Sequence, residues 1–245
     1  MNRIAQTPSL LALAIATLSS TALAAPRQTL RPTANPGGVI AAEIGFAALA
    51  QEKGQWTAFR TTAAKGAKMF APQPVPVADY LKNRKDPPVA VKWQPHMVWS
   101  SCDGSIAVTR GAWQLPKAPK FTGGYFITVW QRQKDGGYKW VLDQGDDLAQ
   151  PLAEPDGIDG VVADCPARDA QHDRRHDPRR DAKAAAPQVI ADPLGAAAND
   201  GTLAWVTTVD TVGGRTFSLT LRKDGAMREV LHASVIAKSN APSAG

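Results

Sequence analysis

The sequence predicts an α+β fold, and three observations carry that prediction. Apolar residues recur at helical spacing between Val39 and Lys82, and this pattern stops at the pair Pro87-Pro88. Four segments that alternate apolar and polar side chains follow. Asp103-Gly104 and Asp135-Gly136 sit between strand candidates as hairpin turns, so neighbouring strands should run antiparallel. Helices first and an antiparallel meander second is the order of an α+β domain.

The elements follow in chain order. Residues 1–24 hold Arg3, the apolar run Leu10–Ala16 and the small-residue ending Ala22-Leu23-Ala24, the order of a cleaved signal peptide. Thr17, Ser19, Ser20 and Thr21 interrupt the run, which falls short of the ~20 apolar residues of a membrane span. The mature protein is therefore expected outside the cytoplasm, periplasmic or secreted. Residues 25–36 read as a polar leader. Residues 37–148 form the main domain, in which Val39, Ala42, Phe46, Leu49 and Ala50 make one helical stripe. Trp56, Phe59 and Ala63 share the face of a second helix, and Val77–Lys82 gives a short third. The strand candidates are Val89–Ser100, Ser105–Leu115, Gly123–Gln133 and Tyr138–Gln144.

Residues 149–200 read as a mobile linker, rich in proline and carrying the charged run His172–Asp181. Strand patterns return at Thr202–Thr208, Arg215–Arg222 and Arg228–Ser234, with turns at Gly213-Gly214 and Asp224-Gly225. This unit of 201–238 is too small to fold alone and should dock on the main domain, leaving 239–245 as a tail.

The formal charge of +6 is ordinary, and much of the basic excess lies in the tract near residue 180, so no nucleic-acid groove is implied. Cys102 and Cys165 are the only cysteines, and export suggests that they form one disulfide. His172 and His176 have metal-like spacing, but Pro178 and the surrounding arginines argue against a helix, so no metal site is expected. The chain has no G-x-S-x-G, no zinc cysteine array and no phosphate-binding glycine loop, and no cofactor is expected.

Several short motifs recur in a familiar order: Ala42-Glu43-x-x-Phe46, Trp56-x-x-Phe59, Met69-Phe70-x-Pro72, Trp93-x-Pro95 and Asp103-Gly104. Gly111-x-Trp113, Gly124-Tyr125-Phe126-x-Thr128-Val129-Trp130-x-Arg132-Gln133 and Trp140-x-x-Asp143-x-Gly145 complete it. In this order, residues 37–145 resemble the nuclear transport factor 2-like superfamily, specifically its exported SnoaL-like branch. The resemblance implies a cone, in which a curved antiparallel sheet wraps about three helices around one apolar cavity. Ketosteroid isomerase, scytalone dehydratase, polyketide cyclases and non-catalytic binding modules share that cone, so the fold names no reaction. Sheets of such cones often pair, which adds an assembly role through a homodimer of sheets as a third reading.

Two acids are candidates for proton transfer. Glu43 shares a helical face with Val39, Phe46 and Ala50, where burial would raise its pKa. The ordinary alternative, preferred from the sequence, is a first-turn glutamate with its carboxylate in solvent. Asp143 ends the fourth strand, with Asp146 and Asp147 beyond it, and either faces the cavity mouth or caps a turn. Phe59, Tyr80, Trp99, Arg110, Trp113, Tyr125 and Trp130 are candidates for ligand contact, the two tyrosines as hydrogen-bond donors and Arg110 toward an anion. His96 and Arg132 read as structural or surface residues. The two function classes are a binding domain for a small apolar or amphipathic molecule, preferred here, and an isomerase, dehydratase or hydrolase using a cavity carboxylate. Export is checked by N-terminal sequencing of the secreted protein, which should begin at Ala25 rather than Met1.

Overall fold

The structure, a computed structural model, describes residues 33–166 and 194–237. The expected signal peptide, most of the expected leader, the His172–Asp181 tract and the tail lie outside the described residues. The helices are α1 (Pro36–Lys53), α2 (Gln55–Thr62) and α3 (Val77–Tyr80). The strands are β1 (Ala63–Phe70), β2 (Pro74–Pro76), β3 (Lys92–Ser100), β4 (Ile106–Gln114), β5 (Gly123–Arg132) and β6 (Tyr138–Leu148). Then come β7 (Asp159–Val162), β8 (Gly195–Ala197), β9 (Leu203–Val209), β10 (Arg215–Lys223) and β11 (Ala226–Val235).

Local chemistry sets the helix ends. Asn35 caps α1 by accepting the Gly38 N–H on its side chain at 2.9 Å, and Pro36 supplies the first-turn φ. Gly54, at φ 102°, ends the helix and turns the chain into α2. The second helix stops at Thr62, one residue before the expected Ala63. The Thr62 hydroxyl bonds back to the Ala58 carbonyl and accepts the Trp140 indole N–H at 2.9 Å, which fixes the helix end against β6.

The expected meander is present in β3–β6, with registers such as Trp99↔Val108, Thr109↔Thr128 and Thr128↔Asp143. The sheet as a whole is mixed rather than antiparallel, in the order β2-β1-β6-β5-β4-β3-β7. β1 runs parallel to β6, and β7 parallel to β3. Both pairings join segments distant in the chain, so no turn residue announces them. β7 and β8 also correct the linker assignment, because each lies inside 149–200 and is held in a sheet. Just after β7, Cys165 bonds Cys102 across 63 residues of sequence.

A second sheet, ordered β11-β10-β9-β8, packs its inner face on one face of the first. Leu203, Phe217, Leu219 and Leu221 meet Val108, Tyr125, Ile127, Val129 and Leu142 there. Backbone bonds Asp164 N–H to Arg222 O and Arg222 N–H to Thr202 O continue the contact. The face expected to pair with a second copy is therefore covered over these strands by the chain's own residues. The opposite face packs against α1 and α2 through Val39, Phe46, Ala50, Phe59, Val98, Trp130 and Trp140.

Glu43 corrects the sequence reading most sharply: it is 0% exposed, not a solvated first-turn residue. Its Oε1 accepts the Trp93 indole N–H at 2.8 Å. Its Oε2 accepts the Thr109 hydroxyl at 2.6 Å and the Trp130 indole N–H at 3.0 Å. Burial raises the Glu43 pKa, and the Thr109, Trp93 and Trp130 bonds only partly oppose the rise. One side chain thus joins α1 to β3, β4 and β5.

Two outcomes test this architecture. Native protein alkylated without reductant should gain no mass at Cys102 or Cys165, and replacing both with serine should cost at most about 4 kcal/mol, the chain-entropy value for such a loop. Glu43→Gln turns an amide NH2 toward groups that are themselves donors and should cost roughly 1–3 kcal/mol by denaturant unfolding. The folded acid binds its proton more tightly than the unfolded one, so its contribution to stability is greatest at low pH and falls as pH rises above the ordinary glutamate range. That part of the pH dependence should vanish in the glutamine variant.

Candidate functional site

Strand alternation decides which side chains reach the helix side of the large sheet. On β5, Tyr125, Ile127 and Val129 enter the core shared with the second sheet, while Trp130 packs with the helices and Phe126 lines the cavity on that side. The cavity has a volume of about 550 Å³. Its aromatic wall comes from Phe46 on α1, Phe59 on α2, Trp93 on β3, Trp113 on β4 and Phe126 on β5. The rings interlock: Phe46 lies 4.8 Å from both Phe59 and Trp93, each pair edge to face. The polar lining follows β6 from Asp143 to Asp147, the strand next to β5, and includes Gln55.

The second sheet completes the cavity. The turn between β9 and β10 rests on Pro72, and Gln73 Nε2 donates to the Asp210 carbonyl at 3.0 Å. At Gly213, φ 96°, a Cβ would stand 2.7 Å from Pro72 Cβ, so only glycine lets the turn sit this close. Val212, Gly213, Arg215 and Ile236 line the cavity from this side. Val212 and Ile236 remain 68% and 85% exposed, which marks them as its apolar rim. The Arg215 guanidinium donates through Nε to Gln144 Oε1 at 3.0 Å and through Nη2 to the Gly145 carbonyl, and it lies 4.6 Å over the Phe70 ring. Burial lowers its pKa, against the attraction of Tyr125, Asp146 and Asp143.

Asp143 is a mid-strand residue, because β6 runs on to Leu148, and it caps no turn. It is partly buried and lines the cavity. Thr128, its register partner, donates its hydroxyl to Oδ2 at 2.8 Å. Its pKa is raised to about 7 by burial first, with the Glu43 charge adding to the rise and Thr128 and Arg215 opposing it. The carboxyl can therefore both donate and accept a proton near neutral pH.

Of the sequence candidates, Phe59, Trp113 and Asp143 line this cavity. Glu43 sits one layer behind it, bonded to the wall residue Trp93. Trp130 is buried beside Glu43. Trp99 and Tyr125 pack toward the second sheet, and Arg110 lies 5.6 Å over the Tyr125 ring on that same face. Successive side chains of a strand point to opposite faces, and these three fall on the face away from the cavity. Tyr80 stands under the Arg84 guanidinium at 4.1 Å, outside the cavity wall. His96 has its pKa lowered, first by burial and then by the charge of Arg110. Arg132 donates to the Thr33 carbonyl. Among the described residues no group of acids, histidines and cysteines could hold a metal ion.

Arg215 escaped the sequence reading, although a signal was present. Arg215, Phe217, Leu219 and Leu221 alternate, and that period places the arginine on the apolar face.

No family model matches the sequence, and no curated protein matches it. Solved structures do. A protein from Parabacteroides distasonis taken to be a ketosteroid isomerase is 16% identical with a TM-score of 0.38, over 49% of this chain and 97% of that one. An NTF-2-like protein of unknown function from Shewanella oneidensis gives 15% and 0.37, over 44% of this chain and 96% of that one. The CaMKII hub of S. rosetta gives 18% and 0.36, over 48% and 99%. Identities this low say nothing about which side chains react. The solved structures similar to this chain thus include nuclear transport factor 2-like proteins, the superfamily that residues 37–145 resemble in sequence.

Proposed function

We propose that this chain binds a small, largely apolar molecule in the aromatic cavity, with Asp143 meeting the molecule's polar group. The observation that carries the proposal is the pairing of a cavity of about 550 Å³ with a carboxyl group whose pKa is raised to about 7. Cavities of this size and character enclose metabolite-sized ligands, and a few polar groups in an apolar wall set their orientation. Five aromatic side chains line the cavity, and Asp143 supplies a polar anchor among them.

A second reading, proton transfer by Asp143 in an isomerase- or dehydratase-type step, is favoured by the same raised pKa. A general acid or base works best when its pKa lies near the working pH. Glu43 would then act on Asp143 through its charge alone, since it is sealed behind Trp93 and its oxygens are engaged. Tyr125 takes no part in either reading, because it faces the second sheet.

Acetophenone, a neutral aryl ketone, probes the site. Its carbonyl can accept a hydrogen bond only from the protonated form of Asp143. Binding should broaden or shift the indole signals of Trp93 and Trp113, and affinity should fall as pH rises through about 7. Asp143→Asn should remove that pH dependence while keeping affinity within a few-fold. Absence of any response at these two indoles across the pH range would end the cavity reading. For the catalytic reading, Asp143→Asn should lower turnover of any substrate found by about 10²–10⁴.

A further inference from the structure

The polar wall of the cavity has an uneven balance of charge. Asp143, Asp146 and Asp147 all line it, and all lie on β6. The one basic side chain among the lining residues is Arg215, and two arms of its guanidinium are already donating to Gln144 and Gly145. It stands over the Phe70 ring, and its charge also acts on Asp143 and Asp146, one cation beside three acids. Asp143 is bonded differently. Among the described residues its hydrogen bond comes from the Thr128 hydroxyl to Oδ2, while Oδ1 accepts none. The same cavity is lined by the rings of Phe46, Phe59, Trp93, Trp113 and Phe126.

We infer that the ligand of this cavity is an organic cation, an ammonium group carried on an apolar body. The inference rests on the cavity reading above and narrows it to a chemical class. An alkylated ammonium is weakly hydrated for a cation, and the electron-rich faces of aromatic rings attract it. Carboxylates lining the same cavity attract its charge without requiring hydrogen-bond donors from the ligand. An anion in the same position would meet three acids and one arginine that already donates to Gln144 and Gly145. A neutral molecule would gain from the rings and from a hydrogen bond with protonated Asp143, but nothing from the charge of the acids.

Three probes of similar shape separate these cases: benzyltrimethylammonium, its uncharged carbon isostere neopentylbenzene, and benzylsulfonate. Each is titrated into the full chain at pH 8, with the Trp93 and Trp113 indole signals as readout. The cation should bind at least about tenfold tighter than neopentylbenzene, and benzylsulfonate should be the weakest. Asp143→Asn should weaken the cation several-fold and leave neopentylbenzene unchanged. Asp146→Asn, nearer the rim, repeats the test should the first variant not fold. Equal binding of the cation and its isostere would overturn the inference while leaving the cavity reading intact. Tighter binding of benzylsulfonate would overturn it in favour of an anion site at Arg215. Failure of all three probes to bind would overturn the cation inference, while the acetophenone response decides the cavity reading separately.

Discussion

A buried carboxylate surrounded by donors governs this molecule. Glu43 lies on the inner face of α1, and its two oxygens collect the N–H groups of Trp93 and Trp130 and the hydroxyl of Thr109. A charge or a carboxylic acid in such a place is unfavourable unless its hydrogen bonds are satisfied, so the arrangement tolerates one position of the helix on the sheet. That position orients Trp93, which in turn forms part of the cavity wall. The same carboxylate lies close enough to Asp143 to hold that group's pKa up. Architecture and acidity are therefore linked through one residue of the first helix.

The large sheet serves two cores, and the pleat of its strands divides them. Alternate residues of β5 belong to the helix side and to the second sheet. Aromatic side chains are abundant on both faces, but only those on the helix side border the cavity. On the other face Trp99 and Tyr125 join Trp205 and Phe217 in a packed layer between sheets. The second sheet also bends round the end of β6 to add Arg215 and an apolar rim, so residues more than seventy positions from Asp143 help to shape its surroundings.

Much of this could be read from the sequence, and the failures have definite causes. The four central strands, their hairpin turns and the three strands near the C-terminus carry clear alternation and turn signals. The cysteine pairing was expected from a signal-peptide-like start and from there being two cysteines. The parallel strands β1 and β7 were invisible because parallel pairing needs no adjacent turn. Glu43 was misread because a first-turn glutamate and a buried one look alike until Trp93, Thr109 and Trp130 are known to converge on it. Trp99, Arg110 and Tyr125 could be named as ligand-contact candidates but given no face, since composition reveals that a strand has two faces but not which of them is hollow. Asp143 was left between the cavity mouth and a turn cap, and its raised pKa depends on burial that only the folded chain supplies.

The β3–β4 turn is a corner where distant parts of the chain are tied together. Cys165 is bonded to Cys102 there; from the second sheet, Thr202 Oγ1 accepts the Cys102 N–H and Asp200 Oδ2 accepts the Asp103 N–H. One tie is covalent and the other is made of hydrogen bonds, so they answer to different conditions. A reductant opens the first and leaves the second, and the turn keeps its hold on the second sheet when the disulfide is lost.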